Sequence, residues 1–345
     1  MVVRLGLVGC GGIAQLVHIP SLKRLEGVEL VAVCDKYLEV ARRVAAKYGV
    51  PRYYGDYEEM FRRERLDGIV NATWHAAHCE VTVAAAEAGL HVFVEKPMAV
   101  TVEECREMLD ACRRHGVKLM VGFMKRFDPS LRWIRDEVRR GSLGRVFSIN
   151  SWYRDCRVHE GYVRAFIDAF IRPPEYPARA YAPTGDRHLD MLLAHGVHHA
   201  DLLRWMGGEV SSVVSRYYET PGGDYVSTSI LKFRSGALGF FQLCGSIAGD
   251  WDEGLAIFGD EGTARAEILF PYFKWRSRAV IFRGGEYVSR LFPFRDMYLE
   301  ELRYFVKCIE EDLEPSPSGY DGLRAQEIIY AIYRSAREGE EIHLS

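Results

Sequence analysis

The stretch of this chain best suited to chemistry is Val92-Phe93-Val94-Glu95-Lys96-Pro97. An apolar, β-rich run closing on a charged pair and a proline reads as a buried parallel strand whose carboxyl end opens into a cleft. Ligands sit at that edge of such sheets. A lysine delivered there is partly desolvated, so its pKa can fall toward neutrality and it can exchange a proton near working pH. Pro97 fixes the backbone just past Lys96, and a cis bond at this point would make the turn rigid. The second stretch is Gly9-Cys10-Gly11-Gly12-Ile13-Ala14, which follows an apolar run over 2–8 and leads into a helical stretch to about Leu25. That succession of strand, G-x-G-x-x-A turn and helix is a dinucleotide signature. Gly9 permits the tight turn, Gly11 lets a pyrophosphate approach the backbone beside Gly12 and Ile13, and small Ala14 lets the helix pack on the strand. Helix amides then face the phosphates. A second apolar run, 28–34, ends in Asp35, where an acid binds the adenosine ribose hydroxyls. A carboxylate accepts from a 2'-hydroxyl and repels a 2'-phosphate, which favours NAD over NADP; Lys36 next door leaves NADP open.

The elements that must position these residues alternate regularly. Helices are expected near 37–48, 57–64, 76–88 and 101–115, with strands near 52–54, 67–73, 90–95 and 117–122. Repeated βα units of this length specify a doubly wound parallel sheet, a Rossmann domain over 1–122. Thr101 with Glu104 is a capping-box signature. The strand ends Asn71-Ala72-Thr73-Trp74-His75 and Glu95-Lys96-Pro97 should border the cofactor, so Asn71, Thr73, Trp74, His75, Glu95 and Lys96 are candidate cofactor contacts. His75, His78 and Cys79 superficially resemble metal ligands, but they sit at a helix start beside an expected dinucleotide, and no metal is expected.

After Gly122 the pattern changes. A helix to about Arg140 and a strand over 145–153 are followed by strands near 209–219, 225–234, 237–247, 252–259, 263–269, 278–283 and 286–292, several joined by short turns as in an antiparallel meander. Helices near 296–312 and 321–338 finish the chain. This describes an α+β domain over 123–345 that carries a large, mostly antiparallel open sheet and serves substrate binding and oligomerisation, with the last helices able to pack back on the first domain. Such a sheet has a face to bury, and a homodimer or homotetramer through it is expected.

Composition narrows the function classes. At 345 residues, 48% hydrophobic and 27% charged, with formal net charge −3, the chain suits two ordinary globular domains and lacks a global basic footprint for nucleic acid or an anionic membrane. No apolar run approaches the ~20 residues of a bilayer span. The amino terminus reads as a strand entering a glycine turn rather than a signal peptide. Eight cysteines without a C-x-x-C pair fit reduced thiols in a cytoplasm.

Taken together, these residues resemble the Gfo/Idh/MocA family of oxidoreductases over nearly the whole length. The glycine turn, Ala88-Gly89-Leu90-His91-Val92 leading into Glu95-Lys96-Pro97, and Arg126-Phe127-x-Pro129 carry the likeness. So do Gly196-Val197-His198-His199-Ala200-Asp201-Leu202-Leu203, Gly259-Asp260-Glu261-Gly262-Thr263 and Asp321-Gly322-Leu323-Arg324-Ala325. The resemblance implies an NAD(P)-dependent dehydrogenase or reductase acting on a secondary alcohol or ketone of a sugar, inositol or derivative. Lys96 and His198 would be its catalytic pair, and Arg126, Tyr153, Asp190 and His195 further candidates for touching substrate. The chain departs from the family at Ala194, where many members carry an aspartate four residues before the histidine, and at Trp74, where a proline is usual. The segment from Asp155 to Arg187 looks longer than the core needs. Arg154, Arg157, Arg164, Arg172, Arg179 and Arg187 in and beside it could meet an anionic substrate group or form an assembly arm. In a straight helix near 189–206, Asp190, Ala194 and His198 share one row, with Asp190 roughly 12 Å along the axis from His198. Two rival readings stand: a redox-neutral hydrolase that keeps NAD bound, and a non-catalytic dinucleotide sensor.

Overall fold

The computed structural model describes residues 2–156, 170–173, 183–272 and 274–345. It divides into two compact units, one of Met1–Phe123, Arg164–Gly185 and Tyr298–Leu323, the other of Met124–Val163, Asp186–Met297 and Arg324–Ser345.

In the first unit β1 (Val3–Val8), β2 (Val28–Cys34), β3 (Arg52–Tyr54), β4 (Gly68–Asn71), β5 (His91–Val94) and β6 (Leu119–Val121) form a parallel sheet. Its order, β3-β2-β1-β4-β5-β6, reverses between β1 and β4, and that reversal opens a crevice at the carboxyl edge. Strands β4, β5 and β6 are buried along almost their whole length, as helices on both faces require, whereas the edge strand β3 is mostly exposed. The helix after the glycines starts at Gly12 and passes through a wider π turn, Ala14–His18, before α1 (Ile19–Arg24). Helices α2 (Leu38–Tyr48), α3 (Tyr57–Arg63), α4 (His78–Glu87) and α5 (Val102–Arg114) follow their strands. Phe305 sets its ring on Phe93, 5.9 Å between centroids. Gly319 and Gly322 lie so close to Leu119 and to Met98 and Val121 that a Cβ would meet side-chain atoms at 2.6–2.8 Å.

The second unit has α6 (Pro129–Arg139) and a nine-stranded sheet, ordered β14-β13-β12-β11-β7-β10-β9-β8-β15. The strands are β7 (Val146–Cys156), β8 (Val210–Glu219), β9 (Tyr225–Phe233), β10 (Leu238–Ile247), β11 (Asp252–Gly259), β12 (Gly262–Glu267), β13 (Arg278–Arg283), β14 (Glu286–Ser289) and β15 (Ile342–His343). The expected, mostly antiparallel sheet is found as two antiparallel runs, β8-β9-β10 and β11 to β14, and β7, which lies parallel to β10, joins them. Alternation along β9 decides its faces, with Ser227, Ser229, Leu231 and Phe233 buried and Ile230 and Lys232 exposed. The helix expected near 189–206 is interrupted: α7 (Arg187–Met191) passes through a π turn, Leu192–Gly196, into α8 (Val197–Gly207). The last helices are α9 (Met297–Glu310) and α10 (Gly319–Glu338).

Candidate active site

Strand register builds the crevice edge of the first unit. Val8 pairs with Cys34 on one side and Asn71 on the other, and Asn71 pairs with Val94. Gly9, Asp35 and Glu95, the first residues past β1, β2 and β5, therefore emerge level with the end of β4. Gly9 has φ +93°, and a Cβ there would sit 2.4 Å from the Ala72 carbonyl oxygen, so only glycine fits. A Cβ on Gly11 would meet open space, leaving bare backbone that a pyrophosphate can approach. Gly12, expected to serve the same purpose, uses its missing Cβ differently: the Phe170 ring stands 3.2 Å from where that atom would be. Ile13 is already helical.

Asp35 ties β2 to the glycine turn. Its Oδ2 accepts from the Cys10 amide at 2.9 Å and its Oδ1 from the Tyr37 amide at 3.0 Å. Burial pushes the carboxyl above its ordinary value, against the pull of those two amides. Each oxygen keeps a lone pair for a ribose hydroxyl, so the residues present fit the adenosine half of a dinucleotide. Lys36 Nζ lies 5.2 Å from both the Tyr37 and Trp74 ring centroids, and Trp74 thus brackets the ammonium.

Asn71 is spent on its own turn, donating to His78 O and Thr82 Oγ1 and accepting from the Thr73 hydroxyl at 2.7 Å. His75 opens a short 3-10 turn, with its ring 5.8 Å from that of His78. The fully buried His78 spans the two strand-end turns, with Nδ1 2.9 Å from Pro97 O and Nε2 3.1 Å from Thr73 O. Its task is to fix the Lys96–Pro97 corner, whose peptide bond is cis. A polar residue one helical turn past a strand end was the signal available for it in the sequence.

Lys96 is half-buried. Its amide donates to Glu95 Oε2 at 3.0 Å, while Glu95 Oε1 accepts from His18 Nε2 at 2.6 Å. Desolvation works to raise the Glu95 carboxyl, yet His18 and Lys96 together hold it below the ordinary value. The His18 ring packs edge-on against Phe93 and Tyr298, and one ligand-type atom each of His18, Glu95 and Glu301 lie within 4.8 Å of one another. His18, not expected from the sequence, thus anchors the residue beside Lys96, and Glu301 is buried in the same cluster.

In the second unit the π turn breaks the straight i, i+4 row expected to join Asp190, Ala194 and His198. It leaves His195 against β7, where the Tyr153 hydroxyl lies 2.9 Å from His195 Nδ1 and the rings stack at 5.0 Å. His198, Asp190 and Ala194 are buried. The adjoining His199 reaches a charge cluster: Glu253 Oε1 accepts from His199 Nε2 at 2.9 Å and from Lys125 Nζ, and Oε2 accepts from the Tyr272 hydroxyl at 2.7 Å. Ser151 Oγ lies 2.5 Å from the other ring nitrogen. Burial, with Lys125 opposite, lowers His199 to about 4. Although desolvation works to raise Glu253, Lys125 and His199 bring it down to about 2. Lys125 Nζ also faces the Tyr153 and Tyr272 rings at 5.5 and 5.0 Å. Lys125, His199 and Glu253 were missed as a group: Lys125 stands beside Arg126 in FMKRF and Glu253 follows Asp250 and Asp252 in GDWDEGLAIF, so no isolated charge singled them out.

Arg126, expected to touch substrate, is buried, and its guanidinium forks onto Asp201 with Nε donating to Oδ2 at 2.8 Å. Arg154 donates to Asp252 and Gln242, and Arg187 pairs with Glu219. These two are therefore committed to neighbours rather than displayed as a cationic patch. Arg172 belongs to the first unit, and Arg157, Arg164 and Arg179 lie outside the described residues. All eight cysteines are free thiols, and among the described residues no helix is long and apolar enough to cross a membrane.

Known proteins resemble this chain over nearly its whole length. Residues 3–123 match an oxidoreductase family of NAD-binding Rossmann fold, and residues 131–265 match the GFO/IDH/MocA C-terminal domain. An inositol 2-dehydrogenase of Burkholderia lata is 30% identical over 98% of this chain and 95% of its own length. The aldose-aldose oxidoreductase of Caulobacter crescentus, solved with glycerol, is 25% identical and superposes with a TM-score of 0.84 over the whole of both chains. The WlbA dehydrogenase of Bordetella pertussis, solved with NADH and UDP-GlcNAcA, is 26% identical with a TM-score of 0.77, covering 100% of this chain and 99% of its own.

Proposed function

The chain belongs to the Gfo/Idh/MocA family of NAD-binding oxidoreductases, and from that premise we propose that it moves hydride between nicotinamide and the secondary alcohol or ketone carbon of a sugar, inositol or sugar derivative. The observation that carries this reading is the single sheet edge on which Gly9, Asp35 and Glu95-Lys96 emerge. A bound nicotinamide supplies the hydride acceptor or donor. Gly9 and Gly11 give the pyrophosphate its approach and Asp35 holds the adenosine ribose, which favours NAD. In the oxidative direction Lys96 Nζ takes the hydroxyl proton as the C–H bond breaks, and His198 is its partner in proton exchange. Glu95, His18 and His78 position Lys96. Tyr153 and His195 offer a stacked pair of hydrogen-bonding rings to a polyol, and Asp190 a buried carboxylate. Arg126 is assigned to holding α8 through Asp201 rather than to substrate.

Lys96→Met is expected to leave NADH affinity within a few fold while cutting turnover by about 10² or more. Retained turnover would remove Lys96 from the chemistry. Ala194 keeps one rival in view, a redox-neutral hydrolase, and net NADH formation across a panel of polyols and sugars separates the two. An anionic substrate now depends on Arg157, Arg164 and Arg179. Uronates turned over no better than neutral polyols would dismiss it. The exposed face of the second unit's sheet supports a homo-oligomer.

A further inference from the structure

The groove beyond Asp35 takes one of its walls from a distant part of the sequence. Gln15, 2% exposed, donates from Nε2 to Cys10 O and to Ile171 O, both at 2.8 Å, and its Oε1 accepts from the Ile171 amide at 3.1 Å. One side-chain amide thus satisfies both backbone groups of a residue 156 positions away, while also holding the glycine turn. Phe170 closes the same junction by packing against the bare Cα of Gly12, and Pro173 is buried. Residues 170–173 are fastened at both ends, and Arg172 is the member turned to the exposed side. Arg172 and Pro173 line a groove of about 660 Å³ together with Tyr37, Leu38, Glu39, Val40 and Arg43, a volume usual for a small-molecule site.

The chemistry of this groove is specific. It begins directly past Asp35, so a nucleoside whose ribose meets that carboxylate extends its base into it. Apolar Leu38 and Val40 beside the guanidinium of Arg172 suit a flat aromatic base, since guanidinium stacks on π faces and ammonium does so less well. Glu39, the acid on the rim, is occupied by Arg42 through two bonds of 2.7 Å.

We propose that Arg172, carried on the turn that Gln15 fastens to the glycine loop, stacks on the adenine of the bound dinucleotide and sets how fast the cofactor leaves. The inference rests on the dinucleotide reading of the first unit. Arg172 is a cofactor-binding residue and Gln15 its positioning residue. Neither has a part in hydride transfer.

The test uses full-length protein. NADH release is followed by stopped-flow fluorescence, and binding of ADP-ribose and of reduced nicotinamide mononucleotide by calorimetry. Arg172→Ala should speed NADH release about 10-fold and weaken ADP-ribose by the same factor, leaving the mononucleotide, which has no adenine, unchanged. Arg172→Lys should recover little of the loss. Gln15→Glu, which can no longer donate to Ile171 and buries a carboxyl against two carbonyl oxygens, should reproduce the ADP-ribose defect and also lower the thermal midpoint. Wild-type release rates in Arg172→Ala would overturn the inference, as would a loss confined to NADP, which would assign Arg172 to a phosphate. Failure of the unaltered protein to bind ADP-ribose would sink the dinucleotide reading and this inference with it.

Discussion

His199 and Glu253 are a buried pair whose ionisation is displaced, and their displacement makes stability depend on pH. His199 sits at about 4 in the folded protein because burial disfavours its cation, and His188 is likewise lowered to about 4 by burial beside Tyr217. Unfolded, both titrate near 6.5. Between pH 6.5 and 4 the unfolded chain therefore binds protons that the folded chain refuses, and stability falls as pH falls through that window. Glu253, lowered to about 2, gives stability that is complete above its ordinary value of about 4.3 and is lost as pH drops toward 2. Urea midpoints measured from pH 7 to 4 should decline, and His199→Phe should flatten the slope by as much as about 1.4 kcal/mol per pH unit. The slope is the readout because the substitution lowers stability at every pH. An unchanged slope would show that His199 titrates normally.

At the scale of elements, the helix that follows Pro97 has a closed cap. Thr101 Oγ1 accepts from the Glu104 amide at 3.1 Å, and Glu104 Oε2 accepts from the Thr101 and Val100 amides at 2.8 and 3.0 Å. This reciprocal arrangement fixes where α5 begins, and so the length of the turn that presents Lys96. Thr101→Ala should cost about 1 kcal/mol, read as a thermal midpoint lower by about 2–4 °C, with NADH affinity unchanged. A loss of affinity would mean that the cap also shapes the site. The two π turns, Ala14–His18 and Leu192–Gly196, act at the same scale. Each inserts a residue's worth of rotation just before a histidine, His18 or His198, and so re-aims it relative to a regular helix.

At the scale of the whole molecule, the proposed homo-oligomer draws on the outer sheet face of the second unit. Val214 pairs with Ile230 and Ile230 with Phe240 across β8, β9 and β10, and Val214 and Ile230 are 37% and 53% exposed. Leu238 and Phe147 are exposed as well. A contiguous apolar strip of this kind is usually buried by a second copy. Light scattering behind size exclusion should report a dimer or tetramer, and Ile230→Lys should shift it toward monomer with the circular dichroism unchanged. A monomeric native protein would leave the strip without that explanation.

The sequence by itself determined the parallel sheet, the glycine turn, Asp35 and the Lys96 corner, because each is written in contiguous residues: an apolar run, its turn and the residue at its end. It also indicated the strands of the second sheet apart from the short β15, and their alternation survives as the burial pattern of β9. What it could not contain was pairing. That β7 runs parallel to β10 follows from a crossover linking distant segments. Helix periodicity did not show the π turns, since each spans a single turn, too short a stretch for its wider spacing to register in the apolar pattern. Arg126 looked available in sequence and is committed to Asp201, 75 residues away. His18 meets Glu95, Lys125 meets Glu253, and Gln15 meets Ile171 for the same reason: a buried charge or amide requires a partner, and only the folded chain decides which distant one it receives.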